Sequence, residues 1–107
     1  RVLFICAKNR LRSPTAEHLF ASYPDVETDS AGVNQDAEVP VSTEQLHWAD
    51  IIVVMESRHQ AKLRRAFSHA LKGKRVVCLD IPDDYAYMDP DLIALLKARA
   101  GRFLPAT

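Results

Sequence analysis

A cysteine and an arginine stand close together near the start of the chain, in the stretch CAKNRLRS at residues 6–13. The stretch follows an apolar run at 2–5 that is typical of a buried strand, and Ser13-Pro14 then indicates a helix start. Loop amides that turn inward can bind an anion, and a helix N-terminus adds partial positive charge. The Arg12 guanidinium offers a planar fork for two oxygens. Together these features predict a site for a tetrahedral dianion such as phosphate.

The same surroundings predict a chemical role for Cys6. Positive charge at a helix N-terminus stabilises a thiolate, and Ser13 could donate a further hydrogen bond to it. A thiolate beneath a bound phosphate is a nucleophile in line with phosphorus, so the product would be a phosphocysteine. The spacing of Cys6 and Arg12 alone would instead favour a small buried side chain at a strand end. Cys78 is expected to be structural.

Phosphoryl transfer also needs an acid for the leaving group and a base for the attacking water, and one carboxyl group can do both in turn. The candidates are the acids of the loop at 80–89. Asp89 precedes a proline and is expected to cap a helix, and Asp80 is expected to end a strand. Asp83 and Asp84 remain, and the loop alone does not choose between them.

Apolar runs alternate with helix-like segments along the whole chain. Strands are predicted at 2–6, 26–30, 51–55 and 75–79, and helices are predicted to follow the capping residues Ser13, Ser42, Ser57 and Asp89. This order predicts an α/β fold over residues 1–107, a single-domain parallel four-stranded sheet with helices on both faces. Because ligands bind beyond the carboxyl ends of such strands, the loop after Cys6 and the acidic loop should meet at one edge.

Composition narrows the class of function. The 107 residues carry 14 basic and 14 acidic side chains, so net charge gives no reason to expect a nucleic-acid or membrane partner. No apolar stretch approaches the roughly 20 residues that span a bilayer, and none looks like a secretion signal. The two cysteines are expected to be reduced thiols of a cytoplasmic protein. The four histidines lack the spacing of metal ligands, so neither a metal nor another cofactor is predicted.

Several segments resemble the low-molecular-weight protein tyrosine phosphatases, in the same order along the chain. The opening VLFICAKNRLRSPTAE is similar to that family's Cys-x5-Arg-Ser phosphate-binding loop after the first strand. DSAG at 29–32 resembles its Ser-Ala-Gly segment, and ADIIVVMESRH at 49–59 resembles its third strand with the Met-acid turn. IPDDYAYMDPDL at 81–92 resembles its acid loop and the start of its last helix.

The resemblance implies a cysteine-dependent protein tyrosine phosphatase with Cys6 as nucleophile, Arg12 as phosphate clamp and Asp83 as general acid and base. Further residues match positions that bind the phosphate, hold the loop or line the pocket. They are Ala7, Lys8, Asn9, Arg10, Leu11 and Ser13 in the loop, Ser30 as a support for Asn9, and Tyr85 at the pocket entrance. The implied partners are phosphotyrosine proteins or small aryl phosphates, with phosphate and sulfate as competing anions; phosphoarginine stays open.

The sequence departs from the family at four places. Lys8 stands where the family usually has glycine, and a positive φ there would strain the backbone. Leu11 replaces a second cysteine found in many members. Asp84 replaces a proline and places a second charge beside Asp83. The chain is also short between residues 32 and 49, where the family supplies a pocket wall.

Two other functions stay open. One is a phosphate-binding or phosphoprotein-binding module of the same fold with little turnover. The other, less favoured, is an arsenate reductase, whose chemistry needs a relay of further cysteines near the site. The oligomeric state is not predicted. His59 is expected on the surface of its helix.

Overall fold

The computed structural model describes residues 1–104 as a four-stranded parallel sheet with helices on both faces. The elements are β1 Val2–Cys6, α1 Arg12–Phe20, β2 Thr28–Gly32, α2 Thr43–Trp48, β3 Ile51–Val54, α3 Ser57–Leu71, β4 Arg75–Cys78, α4 Pro90–Ala100 and a 3₁₀ turn at Gly101–Phe103. The strand order is β2-β1-β3-β4. The predicted fold class is confirmed; residues 105–107, the end of the predicted domain, lie outside the described part. No helix in residues 1–104 is long and apolar enough to cross a membrane.

Neighbouring side chains of β1 point to opposite faces of the sheet. Val2, Phe4 and Cys6 face a core layer formed with α1 and α4, whereas Leu3 and Ile5 face a second layer formed with α2 and α3. All of β1 is buried because it is a central strand covered on both sides. This alternation turns the Cys6 side chain toward the side of the sheet where α1 packs.

The helix starts differ from the predicted ones at two of four places. α2 and α4 follow Ser42 and Asp89 as predicted, and each cap accepts a backbone N–H of its own first turn. α1 begins two residues before Pro14, so Ser13 lies inside the helix and does not cap it. α3 is capped by Glu56 and not by Ser57. The start of α1 reflects the burial of Arg12 and the start of α3 reflects the contacts of Glu56, both described below.

All four strands end at one edge of the sheet. Cys6 pairs in register with Gly32 on β2, and Ile5 pairs with Val54 on β3, which pairs with Cys78 on β4. β2 lies two residues later than predicted, and β3 and β4 each end one residue earlier. The edge therefore gathers the loop after β1, the turn after β3 and the acidic loop after β4.

Candidate active site

The loop between β1 and α1, residues 7–11, folds around the sulfur of Cys6. The backbone N–H of Asn9 donates to Cys6 Sγ at 3.3 Å, and Ser13 Oγ lies 3.0 Å from the same sulfur. Cys6 itself is only 3% exposed. The left-handed residue of this loop is Asn9, with φ of 57°. The strain considered for Lys8 does not arise, because asparagine tolerates this conformation better than most residues.

The side chain of Asn9 holds the loop from inside. Its Nδ2 donates to Ser13 Oγ at 3.0 Å and to Ser30 Oγ at 2.9 Å, and Ser30 in turn donates to the carboxylate of Glu17. Asn9, Ser13 and Ser30 are all buried. A buried polar chain of this kind has one low-energy arrangement, because every broken link leaves an unsatisfied group. These contacts fit the supporting role expected for the three residues, which remains a prediction.

Arg12 lies beneath the loop as a buried cation, 2% exposed. Its Nη1 donates to Glu56 Oε2 at 2.6 Å and to the carbonyl oxygen of Ile81 at 2.7 Å. Both hydrogens of Nη1 are therefore engaged. The guanidinium has five N–H donors, so those on Nε and Nη2 can still serve a bound anion. The burial of Arg12 in the first turn of α1 explains why that helix begins earlier than the Ser-Pro pair predicts.

Glu56 is the site residue that the sequence reasoning did not single out. It follows β3 at the carboxyl edge and caps α3. Hydrogen bonds from Arg58 and then Arg12 hold its pKa at about 2, against an opposing effect of burial. The feature of the sequence that could have indicated Glu56 is its position just after a buried parallel strand, where ligands bind in open α/β sheets.

His59 contradicts the prediction of a surface position, since it is 1% exposed. Its Nδ1 accepts the backbone N–H of Glu56 at 3.2 Å, and its Nε2 lies 3.6 Å from Glu56 Oε2. Nε2 has no hydrogen-bond partner among the described residues. Burial, and next the charge of Arg12, lower the His59 pKa to about 4. His59 is thus a neutral side chain beneath the Glu56–Arg12 pair at neutral pH.

The acidic loop places its four aspartates in different surroundings. Asp83 Oδ1 lies 3.7 Å from Arg12 Nε, and the Asp83 side chain is 57% exposed. Asp89 caps α4, and Asp80 accepts a hydrogen bond from the thiol of Cys78. Asp84 is exposed and is not part of the cavity wall described next. The geometry therefore favours Asp83 over Asp84 as the acid beside Arg12.

A cavity of about 180 Å³ opens above the sulfur. Its wall consists of Cys6, Ala7, Lys8, Arg10, Leu11, Arg12 and Asp83. Tyr85 is half-buried and packs on the core layer below, and it does not belong to this wall; its place at a pocket entrance stays a prediction. A larger cavity of about 390 Å³ lies at β4 and the 3₁₀ turn and shares no residue with the first. A thiol, a guanidinium and a carboxyl group thus share one small concave space.

The segment at residues 33–41 forms the flank of the loop, in the region where a family wall was expected to be short. The N–H of Asn34 donates to the carbonyl oxygen of Ala7, and the N–H of Glu38 donates to that of Lys8, both at 3.0 Å. Gly32 makes this contact possible: a Cβ there would lie 2.5 Å from Ala37 Cβ and 2.6 Å from Ala7 O. We call residues 33–41 the wall segment.

Residues 1–104 contain no group of three or more His, Cys, Asp or Glu side chains that could hold a metal ion.

The comparison with known protein families concerns the first part of the chain. Residues 1–41 match the family model described as low molecular weight phosphotyrosine protein phosphatase. These residues contain β1, the loop around Cys6, α1, β2 and the wall segment. The resemblance to this phosphatase family is confirmed. No curated protein matches the sequence.

Solved structures of phosphatases share the fold over nearly the whole chain. The tyrosine phosphatase Wzb of Escherichia coli K30, in complex with phosphate, has 22% identity and a TM-score of 0.77 over 95% of this chain and 94% of its own. Wzb of Vibrio vulnificus, in complex with benzylphosphonate, has 21% identity and a TM-score of 0.78 over 95% and 94%. The YwlE arginine phosphatase of Geobacillus stearothermophilus has 21% identity and a TM-score of 0.72 over 100% and 99%. At such identities the likeness establishes a low-molecular-weight phosphatase fold.

Proposed function

We propose that this protein is a cysteine-dependent phosphomonoester hydrolase that acts on phosphotyrosine and related aryl phosphates. One observation carries the proposal: Cys6, Arg12 and Asp83 line the same 180 Å³ cavity. These are the residue types that nucleophilic phosphoryl transfer requires, and they come from the end of β1, the start of α1 and the acidic loop, all at one sheet edge. The match of residues 1–41 to a phosphatase family supports the same conclusion.

In the first step the substrate phosphate binds against the free donors of Arg12 and the amides of the loop at 7–11. Cys6 Sγ, as thiolate, attacks phosphorus and forms an S–P bond while the bond from phosphorus to the leaving oxygen breaks. Asp83, as carboxylic acid, donates its proton to that oxygen. The fixed cation and amides stabilise the charge on the equatorial oxygens without reorganisation. The hydroxyl of Ser13 is placed to donate a hydrogen bond to the sulfur.

In the second step Asp83, now a carboxylate, takes a proton from water. The water oxygen attacks phosphorus, the S–P bond breaks and inorganic phosphate leaves. Asp83 is suited to both steps because it is exposed enough to meet water and lies 3.7 Å from Arg12. Thiolate and acid are thus regenerated, and neither step calls on a group outside the described residues.

The proposed preference for an aryl group rests on the cavity wall. Leu11 belongs to that wall and is 37% exposed, an apolar surface beside a charged site. An aromatic ring on the bound phosphate could cover it and remove apolar area from water. The complex of Wzb with benzylphosphonate supports an aryl ligand for this fold. We further propose a reducing compartment such as the cytoplasm, because both cysteines are free thiols and the nucleophile must stay reduced.

A steady-state assay with p-nitrophenyl phosphate tests the proposal. We expect Cys6→Ser to abolish turnover and Asp83→Asn to lower kcat by about a hundredfold or more. The chain supplies matched controls in Cys78→Ser and Asp84→Asn, which should keep most activity because neither residue lines the cavity. Phosphate should inhibit competitively and should protect Cys6, but not Cys78, from alkylation. Equal loss in Asp83→Asn and Asp84→Asn would refute the assigned acid.

The alternatives give different results in the same assay. Binding of phosphate without turnover by the unaltered chain would favour a binding module. Arsenate reduction would require a second thiol near Cys6, but Cys78 lies on β4, with β3 between it and β1. Burial raises the pKa of the Cys78 thiol, which opposes a role as an attacking thiolate. No observation favours the reductase.

A further inference from the structure

Three of the residues that line the cavity are basic. Lys8, Arg10 and Arg12 line it, against the single carboxylate of Asp83. Arg12 is buried, and its remaining donors on Nε and Nη2 are assigned to the phosphate itself. Lys8 and Arg10 have side chains that are 46% and 55% exposed. These two exposed residues of the wall are called the rim cations here.

The rim cations are held by two acids of the wall segment, spaced two residues apart as the cations are. Lys8 Nζ lies 3.3 Å from Asp36 Oδ2, and Arg10 Nε lies 3.2 Å from Glu38 Oε1. The backbone contact between Glu38 and Lys8 sets this register. Asp36 and Glu38, the rim acids, do not line the cavity. Lys8 and Arg10 thus belong to the cavity wall, whereas their acidic partners do not.

Both ion pairs are exposed, with acid side chains that are 66% and 61% exposed. Exposed pairs of this kind are weak and exchange readily with other anions. A carboxylate that arrives with the substrate can therefore replace a rim acid at small cost. A cationic group would meet two like charges at the rim, and its approach would be disfavoured.

We propose that the rim cations select acidic phosphopeptides, in which carboxylates flank the phosphorylated residue. This inference rests on the proposed phosphatase function and names its substrate class. In the resting state Asp36 and Glu38 occupy the rim cations; on binding, substrate carboxylates take their place. Phosphorylated arginine is a poor substrate by the same reasoning, because its guanidinium brings positive charge to Lys8 and Arg10.

The test uses three phosphotyrosine peptides of equal length, flanked by Glu, by Gln or by Lys. With the Cys6→Ser variant, the Kd of each peptide measures selection without turnover; with the unaltered chain, kcat/KM measures it during hydrolysis. We expect affinity and kcat/KM to decrease from the Glu-flanked to the Gln-flanked to the Lys-flanked peptide, by about fivefold or more at each step. The spread should shrink between ~20 mM and ~500 mM salt, because exposed charges are screened.

Variants locate the effect. The useful quantity is kcat/KM of the Glu-flanked peptide divided by that of the Gln-flanked peptide, because this ratio cancels any loss common to all peptides. The double variant Lys8→Gln/Arg10→Gln should bring the ratio close to one. Asp36→Asn with Glu38→Gln should increase the ratio, because the competing acids are gone. Lys97→Gln, which removes an exposed cation of α4, is the control and should leave the ratio unchanged.

Two failures can be told apart. If p-nitrophenyl phosphate is not hydrolysed, the proposed function fails, while Kd values that still follow the peptide charge would support the rim cations as a binding feature. If hydrolysis is present but the three peptides give equal Kd and kcat/KM, the selection of acidic peptides is overturned. Equal ratios in Lys8→Gln/Arg10→Gln and in the unaltered chain would overturn it as well.

Discussion

Glu56 and Arg12 form a close ion pair beneath the loop around Cys6, with 2.6 Å between Glu56 Oε2 and Arg12 Nη1. The two residues are 44 positions apart in the chain. Arg12 is 2% exposed and Glu56 26%, so the pair is shielded from water on the arginine side. A buried guanidinium without its partner would be an uncompensated charge. Glu56 holds Nη1, and we expect it to position Arg12 so that Nε and Nη2 can bind an anion.

Glu56→Gln tests this role. The variant keeps a hydrogen-bond acceptor but loses the charge, and we expect the free energy of unfolding to fall by about 2 kcal/mol. We also expect kcat/KM for an aryl phosphate to fall by about tenfold and the inhibition constant of phosphate to rise, because Arg12 is less well placed. Denaturant unfolding and inhibition kinetics measure the two effects, with Glu44→Gln on the exposed face of α2 as control. A fall in stability alone would contradict the positioning role.

The buried His59 predicts a loss of stability on acidification. Its pKa is about 4 in the folded chain against an ordinary 6.5, so the unfolded chain binds a proton first. The free energy of unfolding should decrease as the pH falls from 6.5 to 4, by up to about 3 kcal/mol. Glu56, whose pKa is about 2 against an ordinary 4.5, adds a second loss below pH 4.5.

Unfolding in denaturant at successive pH values separates these contributions. His59→Gln should flatten the pH dependence between 6.5 and 4 and leave the part below 4.5 in place. His69→Gln, at an exposed position on the same helix, should change neither. A slope that persists in His59→Gln would assign the loss to other groups.

Gly32 predicts a steric effect at the base of the site. In Gly32→Ala the new methyl group would meet Ala37 Cβ and the carbonyl oxygen of Ala7 at distances that no structure tolerates. The loop around Cys6 and the wall segment must separate, and we expect a loss of about 1–3 kcal/mol in unfolding free energy together with lower activity. Gly101→Ala is the matched control, because nothing lies within 4 Å of its Cβ position. Equal effects of the two substitutions would refute the close approach.

Asn9 combines a left-handed backbone with two hydrogen bonds, and a pair of variants separates these contributions. Asn9→Gly removes the side-chain bonds to Ser13 and Ser30 and makes the unfolded backbone more flexible. Asn9→Ala removes the same bonds and leaves at φ of 57° a residue that tolerates this conformation less well than asparagine does. We expect both to lose stability, and the alanine variant to lose about 1 kcal/mol more. Thermal unfolding measures the difference. An alanine variant as stable as the glycine variant would show that the backbone conformation relaxes.

The parts that could be predicted from sequence depend on neighbours along the chain. The apolar run at 2–6 predicts a strand buried on both faces, and Ser42 and Asp89 cap the helices that follow them. These features are local, because a cap needs its own next residues and a buried strand needs its own apolar side chains. The alternation of strands and helices then brings the loop after Cys6 and the acidic loop to one edge.

The remaining features depend on contacts between distant segments. Glu56 is drawn to Arg12 and His59 is buried beneath the pair, although the pattern of α3 alone placed His59 on the surface. The early start of α1, and the pairing of Asp36 and Glu38 with Lys8 and Arg10, also depend on segments that meet only in the folded chain. Patterns local to the chain predicted which residues would perform phosphoryl transfer and at which edge of the sheet they would lie. The charges that meet there could be known only from the folded chain, because the free energy of a charged side chain depends on its burial and on partners that are remote in sequence.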